Sequence, residues 1–184
     1  RDYMRKAIRE AKVNSSWVHP NAPHEEAVDT FVDAILGDGD TQFVRSFLGL
    51  AGYVSRLGRF NSLSQTLLKI TSPGMPDFYQ GTELWDLSLV DPDNRRPVDF
   101  VRRREMLLDL QTRERQLGLA VLCGELLGRM EDGGIKLFLT CKALTFRREN
   151  REIFEQGAYI PLPARGERAE SAVAFARMFQ GKMV

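Results

Sequence analysis

The 184-residue chain contains only two cysteines and two histidines. Two thiols, Cys123 and Cys141, cannot build a disulfide framework, and such low usage points to a reducing compartment, the cytoplasm. His19 and His24 sit in a Pro- and Asn-rich segment without a cysteine or second carboxylate at ligand spacing, so no metal site is expected. Glycine-rich phosphate loops, dinucleotide fingerprints and G-x-S-x-G elbows are all missing, and no cofactor is expected. No apolar run approaches the roughly 20 residues of a membrane span, which argues against a membrane partner. Charge of one sign is missing too: 26 basic side chains face 25 acidic ones. A nucleic-acid surface needs clustered excess Lys and Arg, so none is expected. The chain opens Arg1-Asp2-Tyr3, without Met or signal peptide, and reads as a piece of something longer.

What is present is globular. At 43% hydrophobic and 28% charged residues, the chain is neither disordered nor low-complexity. At this length a chain buries roughly 70% of its unfolded surface, enough for a real core. The fold class expected is mainly α, with a small β part at the C-terminal end.

The first region, residues 1–70, reads as helices. Asp2 to Val13 is short, charged and helical in propensity. Ala27, Val28, Phe31, Val32, Ile35 and Leu36 recur in pairs every four residues, an apolar stripe preceded by Asn21 and Pro23. Gly37-Asp38-Gly39-Asp40 ends that helix, with Asp40 a cap for the next. Phe43, Phe47, Leu50, Val54 and Leu57, flanked by Val44, Leu48 and Ala51, predict a helix buried on more than one side. Gly58 should stop it. Ser62 with Gln65 then resembles a capping box opening a further helix.

Residues 71–97 lose all periodicity. Pro73, Gly74, Pro76, Gly81, Pro92 and Pro97 break any regular element, while Phe78, Tyr79 and Trp85 argue for order. Long ordered loops of this kind are commonly functional. Residues 98–153 return to helix: Phe100, Val101, Met106, Leu107, Leu108 and Leu110 face a core, with Arg102, Arg103 and Arg104 outward. Leu119, Leu122, Leu126 and Met130 form another stripe. Ile135 to Leu139 fits strand or helix equally. Arg102–Arg104 and Arg147-Arg148 read as solvated helix faces, and both cysteines as inert thiols in apolar stripes. Residues 154–184 turn strand-like, with Gly157–Leu162 and Ala172–Ala176 separated by a polar turn, the start of a truncated sheet.

Two runs carry chemistry. One is Thr71-Ser72-Pro73-Gly74-Met75-Pro76-Asp77-Phe78-Tyr79-Gln80-Gly81-Thr82-Glu83. The other is Leu89-Val90-Asp91-Pro92-Asp93-Asn94-Arg95-Arg96-Pro97. Each combines a stiff backbone with aromatic rings, whose apolar faces suit the C–H faces of a sugar. Carboxylate, amide and guanidinium groups beside them can hold hydroxyls. The plain alternative, that Asp91, Asp93, Arg95 and Arg96 merely pair to hold a turn, weighs equally on the residues alone.

These runs resemble the end of the catalytic barrel in the α-amylase superfamily, and in particular the maltooligosyl trehalose synthase family. Ser72-Pro73-Gly74…Glu83-Leu84-Trp85-Asp86 and Leu89 to Asp99 carry most of the likeness. It extends to the helical sequence from Asn14 to Leu68 and to Lys136–Arg148 followed by Phe154 and Gly157-Ala158-Tyr159. The resemblance implies helix for 135–148, and a helical, bundle-like piece from the end of a (β/α)8 barrel entering a β-rich domain. It implies an isomerase that converts a reducing-end α-1,4 linkage of a maltooligosaccharide into an α,α-1,1 linkage. The three catalytic acids of such enzymes lie on earlier strands, and the Thr-His-Asp run carrying the last does not occur in these residues. No catalytic residue is therefore assigned. Tyr79, Gln80, Glu83, Asp93, Asn94, Arg95 and Arg96 are expected as substrate contacts, and the isolated chain is expected to be inactive and to self-associate. A different superfamily glucanotransferase or hydrolase, or a non-enzymatic helical interaction module, remains open at this point.

Overall fold

The computed structural model describes residues 1–37, 41–88, 91 and 93–184; the Asp40 cap and the backbone at Pro92 lie outside them. The described residues are mostly helical, with one small sheet. Their order is α1 (Asp2–Ala11), α2 (Ala22–Leu36), α3 (Gln42–Thr71), α4 (Phe100–Leu117), α5 (Leu119–Gly128), α6 (Gly134–Glu149) and α7 (Arg151–Gln156), then β1 (Ala158–Pro161), β2 (Phe175–Phe179) and β3 (Lys182–Met183). The expected fold class holds, and the ambiguous segment after Ile135 is helix. Contacts divide the chain into two compact units, Arg1–Gly58 and Arg59–Val184.

In the first unit, three ion pairs join α1 and the residue before it to α2. Asn21 caps α2, its Oδ1 accepting from the His24 N–H at 3.2 Å. The buried positions of α2 are Glu25, Asp29 and Val32, so of the expected stripe only Val32 is buried; Phe31 is 63% exposed. The reason lies in α1, which buries no residue and presents Arg1, Arg5 and Arg9 one turn apart. They pair with Asp33, Asp29 and Glu25, which share the same spacing. Such i, i+4 rows lie on one helix face, so two antiparallel rows of opposite charge close as a ladder. Arg9 donates to Glu25 from Nε and Nη2, at 2.8 and 2.6 Å, and Ser15 Oγ adds a bond at 2.5 Å.

The hydrogen bonds from Arg9 and Ser15 pull the Glu25 carboxyl down to about 2. A carboxyl whose folded pKa is depressed contributes stability that is complete above its unfolded value near 4.5 and disappears as pH falls towards 2. Trp17 reports on this joint, since its Nε1 bonds Glu10 at 2.9 Å and Arg9 lies 5.0 Å from its ring centroid. Acid titration of a Trp85→Phe variant should therefore show the Trp17 emission change between about pH 4.5 and 2. In Glu25→Gln the change should shrink in that window; an unchanged titration would contradict the ladder.

Helix α3 corrects three expectations. Gly58 does not end it and Ser62 does not cap a new helix: residues 42–71 form one continuous helix. An internal glycine costs about 1 kcal/mol relative to alanine, too little to interrupt a helix that is sound on both sides. The Ser62 carbonyl accepts from Thr66 Oγ1 inside the helix instead. The stripe expected to be buried on more than one side is mostly open, with Phe47 50% and Leu50 62% exposed and only Val44 buried.

The core of the second unit joins Leu84 of the loop, Leu110 of α4, Leu122 and Leu126 of α5, and Leu137 and Phe138 of α6. Both cysteines are free and only half-buried. The sheet is antiparallel in the order β1-β2-β3, with Tyr159 opposite Arg177 and Ile160 opposite Ala176. The second strand thus lies three residues later than expected and continues into a third. Gln180 (φ 48°) and Gly181 (φ 78°) are both left-handed, the requirement of the two-residue turn that matches strand twist. Phe179 pairs with Lys182 across this turn, which fixes the register.

Candidate functional site

The loop between Thr71 and α4 is fixed by cations that reach its backbone carbonyls from the surrounding helices. Lys69, in the last turn of α3, donates to the Asp77 carbonyl at 2.8 Å. Lys136, in the first turn of α6, donates to the Leu84 carbonyl at 3.3 Å. Arg147 reaches the carbonyls of Ile70 and Ser72 at 2.5 and 3.4 Å, and that of Gly74 as well. The end of α3 leaves carbonyls without helical partners, which is where a guanidinium is favoured. Arg103 donates to Gly81 at 2.7 Å and to Asp99 at 3.0 Å. Arg103 and Arg147 are therefore braces, not solvated faces as their runs of arginine suggested.

Local geometry positions Tyr79. The Thr82 N–H and hydroxyl both donate to the Tyr79 carbonyl, at 3.2 and 2.7 Å. Gly81 sits at φ +94°, and a Cβ there would lie 3.2 Å from Val98, so this tight turn requires glycine. Trp85 Nε1 donates to the Met130 carbonyl at 2.6 Å and pins the far end of the segment. Asp86 accepts from the Ser88 hydroxyl and N–H, which hold its carboxyl below the ordinary range.

The expected substrate residues separate into three settings. Tyr79 lines a cavity of about 430 Å³ together with Gln65, Lys69, Asp77 and Lys136. Gln80 is exposed beside it. Glu83 is engaged elsewhere: its Oε2 accepts from Arg103 Nε at 3.0 Å, with both side chains largely buried. Asp93, Asn94 and Arg95 form a single 3-10 turn. Arg95 pairs with Asp91 at 2.5 Å, an exposed pair, while the Arg96 side chain is open. Asn94 Oδ1 is buried with no hydrogen-bond partner among the described residues.

Lys69 and Lys136 are the residues the sequence reading passed over. Each is a lone cation inside an apolar stretch, Leu67-Leu68-Lys69-Ile70 and Ile135-Lys136-Leu137, and that was the available signal. Burial holds the Lys136 ammonium below its ordinary pKa, and the nearby Lys69 charge adds to the effect. Among the described residues no group of three or more His, Cys, Asp or Glu side chains converges as a metal site. No described helix is long and apolar enough to cross a membrane.

No protein-family model matches the chain. A Mycobacterium tuberculosis protein named maltooligosyl trehalose synthase is 39% identical over 175 residues, which is 95% of this chain and 20% of that protein. A crystal structure of maltooligosyl trehalose synthase superposes with a TM-score of 0.78 at 37% identity, over 96% of this chain and 22% of its own. The similarity is to maltooligosyl trehalose synthases. The enzyme from Arthrobacter ramosus gives 0.77 at 36% identity, over 96% of this chain and 21% of its own. The chain spans about a fifth of the length of these relatives.

Proposed function

We propose that this chain is a C-terminal segment of a cytoplasmic isomerase of the α-amylase superfamily. That enzyme converts maltooligosaccharides into maltooligosyl trehalose by intramolecular transglycosylation. The observation that carries this reading is the 39% identity over 95% of the chain, together with the matching fold. In a retaining mechanism a carboxylate takes the sugar, a carboxylic acid protonates the leaving oxygen, and the glycosyl unit is then passed to an acceptor. Here the acceptor is the anomeric hydroxyl of the released glucose, so the site must hold that glucose and exclude water. This segment supplies wall rather than catalyst. Tyr79, Gln80, Asp93, Asn94 and Arg96 provide the ring face and polar groups, while Glu83 and Arg95 serve through the contacts they already make.

The test is product analysis of the full-length enzyme with maltopentaose. A non-reducing, trehalose-ended product of unchanged length is expected. Chain redistribution would indicate a glucanotransferase and net hydrolysis a hydrolase. The 184 residues alone should give no turnover, because the catalytic acids belong to the rest of the enzyme; activity in an amylase-free preparation would refute this division.

The open apolar stripe of α3 is surface for the remaining four-fifths of the enzyme, and the same holds for a groove of about 460 Å³ lined by Leu63, Leu67, Leu119, Cys123 and Leu127. Exposed patches of this kind drive association when the natural partner is missing. The isolated chain should therefore show a light-scattering mass above that of a monomer, rising with concentration.

A further inference from the structure

We propose that the cavity beside Tyr79 is a glucosyl-binding subsite in which Tyr79 supplies the ring face and Gln65, Lys69 and Lys136 hold hydroxyl groups. The inference rests on the reading given under Proposed function and adds three residues that the loop motifs do not contain. Its volume, about 430 Å³, lies within the usual range for small-molecule sites, roughly 300–1,000 Å³.

The lining selects the ligand. Two ammonium groups in one cavity disfavour an apolar guest. An anion is disfavoured as well, because the acidic residue Asp77 lines the same cavity and the Glu83 and Asp86 charges act on Lys136. A neutral, hydroxyl-rich molecule needs both donors and acceptors, and the cavity offers both: Lys69, Lys136 and Gln65 to donate, Asp77 and Ser62 to accept. An ammonium carries three protons, and the hydrogen bond each lysine makes to the loop is to one carbonyl. Donors therefore remain for a ligand on each.

The aromatic face is equally selective. Lys69 Nζ lies 3.9 Å from the Phe78 ring centroid and covers that ring. Tyr79 is 45% exposed and free to stack. A pyranose ring presents C–H groups on one face and hydroxyls around its edge. Tyr79 meets the face while the lysines and Gln65 meet the edge. The cations that brace the loop are thus the same groups that bind, which couples loop geometry to occupancy.

The experiment uses the full-length enzyme and maltopentaose. Lys136→Met removes a charged donor and should raise KM by about tenfold or more, while Gln65→Ala removes a neutral one and should raise it by about two- to tenfold. Lys136→Arg, which keeps donors in place, should recover most of the loss. Equal binding of ground and transition states leaves kcat unchanged, and that split separates a subsite from a purely structural role. Among the described residues Gln65 makes no side-chain hydrogen bond to the loop, so its variant keeps the test valid even where Lys136→Met folds poorly. An unchanged KM in Gln65→Ala and in folded Lys136→Met overturns the subsite. A wild-type enzyme that yields no trehalose-ended product overturns the underlying reading instead.

Discussion

Leu122→Ala should destabilise the second unit by about 3–4 kcal/mol, within the range of large-to-small core substitutions. Leu122 is fully buried in α5 and packs in one cluster with Leu84, Leu110, Leu126, Leu137 and Phe138. Truncation to alanine removes transfer free energy and leaves a cavity walled by three helices and the loop, so relaxation is limited. Leu119, three residues earlier on the same stripe, is 51% exposed, and Leu119→Ala should stay within about 0.5 kcal/mol. Trp17 and Trp85 fall in different units, so a Trp17→Phe background isolates the second in denaturant titrations. The midpoint should fall steeply for Leu122→Ala and hardly at all for Leu119→Ala. Equal effects at the two positions would show that this core is not closed.

That contrast marks how far periodicity reads a fold. Leu119, Leu122 and Leu126 of the expected stripe lie on α5 and Met130 opens the 3-10 turn after it, and three of the four are buried. Which one lies outside depends on neighbours distant in sequence, Leu84, Leu110, Leu137 and Phe138, and a local pattern holds no record of them. In α3 the pattern misled more deeply. Its apolar width implied burial, yet the partner surface is not within these residues. In α2 the apolar stripe is the plainer pattern, although Glu25, Asp29 and Asp33 at one-turn spacing, with Arg1, Arg5 and Arg9 repeating it, are equally periodic. Charge periodicity carries joint information in the same way as apolar periodicity, but only when both rows are compared. The third strand was hidden by its turn, since Gln-Gly is not among the dipeptides that usually announce a left-handed pair.

The loop shows the same limit at the candidate site. Its proline, glycine and aromatic content identified it as ordered and sugar-suited. It could not show that Glu83 faces a guanidinium, because Arg103 is one of three consecutive arginines with identical local chemistry. Only the turn of α4 chooses among them. Asp99 caps that helix by accepting the Arg102 N–H at 2.9 Å, which sets the phase of everything after it. Arg103 then points at the loop, while Arg102 and Arg104 are left exposed.

Removing Arg103 should therefore cost far more than removing Arg95, the opposite of what the loop motif alone suggests. Arg103 and Glu83 retain 18% and 29% side-chain exposure, so Arg103→Ala strands a mostly buried carboxylate together with the Gly81 carbonyl. Leaving such groups unpaired costs about 2–3 kcal/mol, somewhat under the full penalty for a broken interior pair. Arg95 and Asp91 are 68% and 57% exposed, and a pair of that kind contributes about 0–1 kcal/mol. Arg95→Ala should barely move the denaturation midpoint. Function should follow the same order. Gly81 lies two residues from Tyr79, so freeing the Gly81 carbonyl loosens the turn that presents the ring. In the full-length enzyme, Arg103→Ala should raise KM for maltopentaose and the proportion of free glucose, since water competes better for a poorly held intermediate. Glu83→Gln tells bracing from direct contact, because the amide keeps an oxygen for Arg103 while losing the charge. Partial retention of stability with near-normal product ratio makes Glu83 a positioning residue; a normal melting temperature with a collapsed product ratio would return it to the sugar.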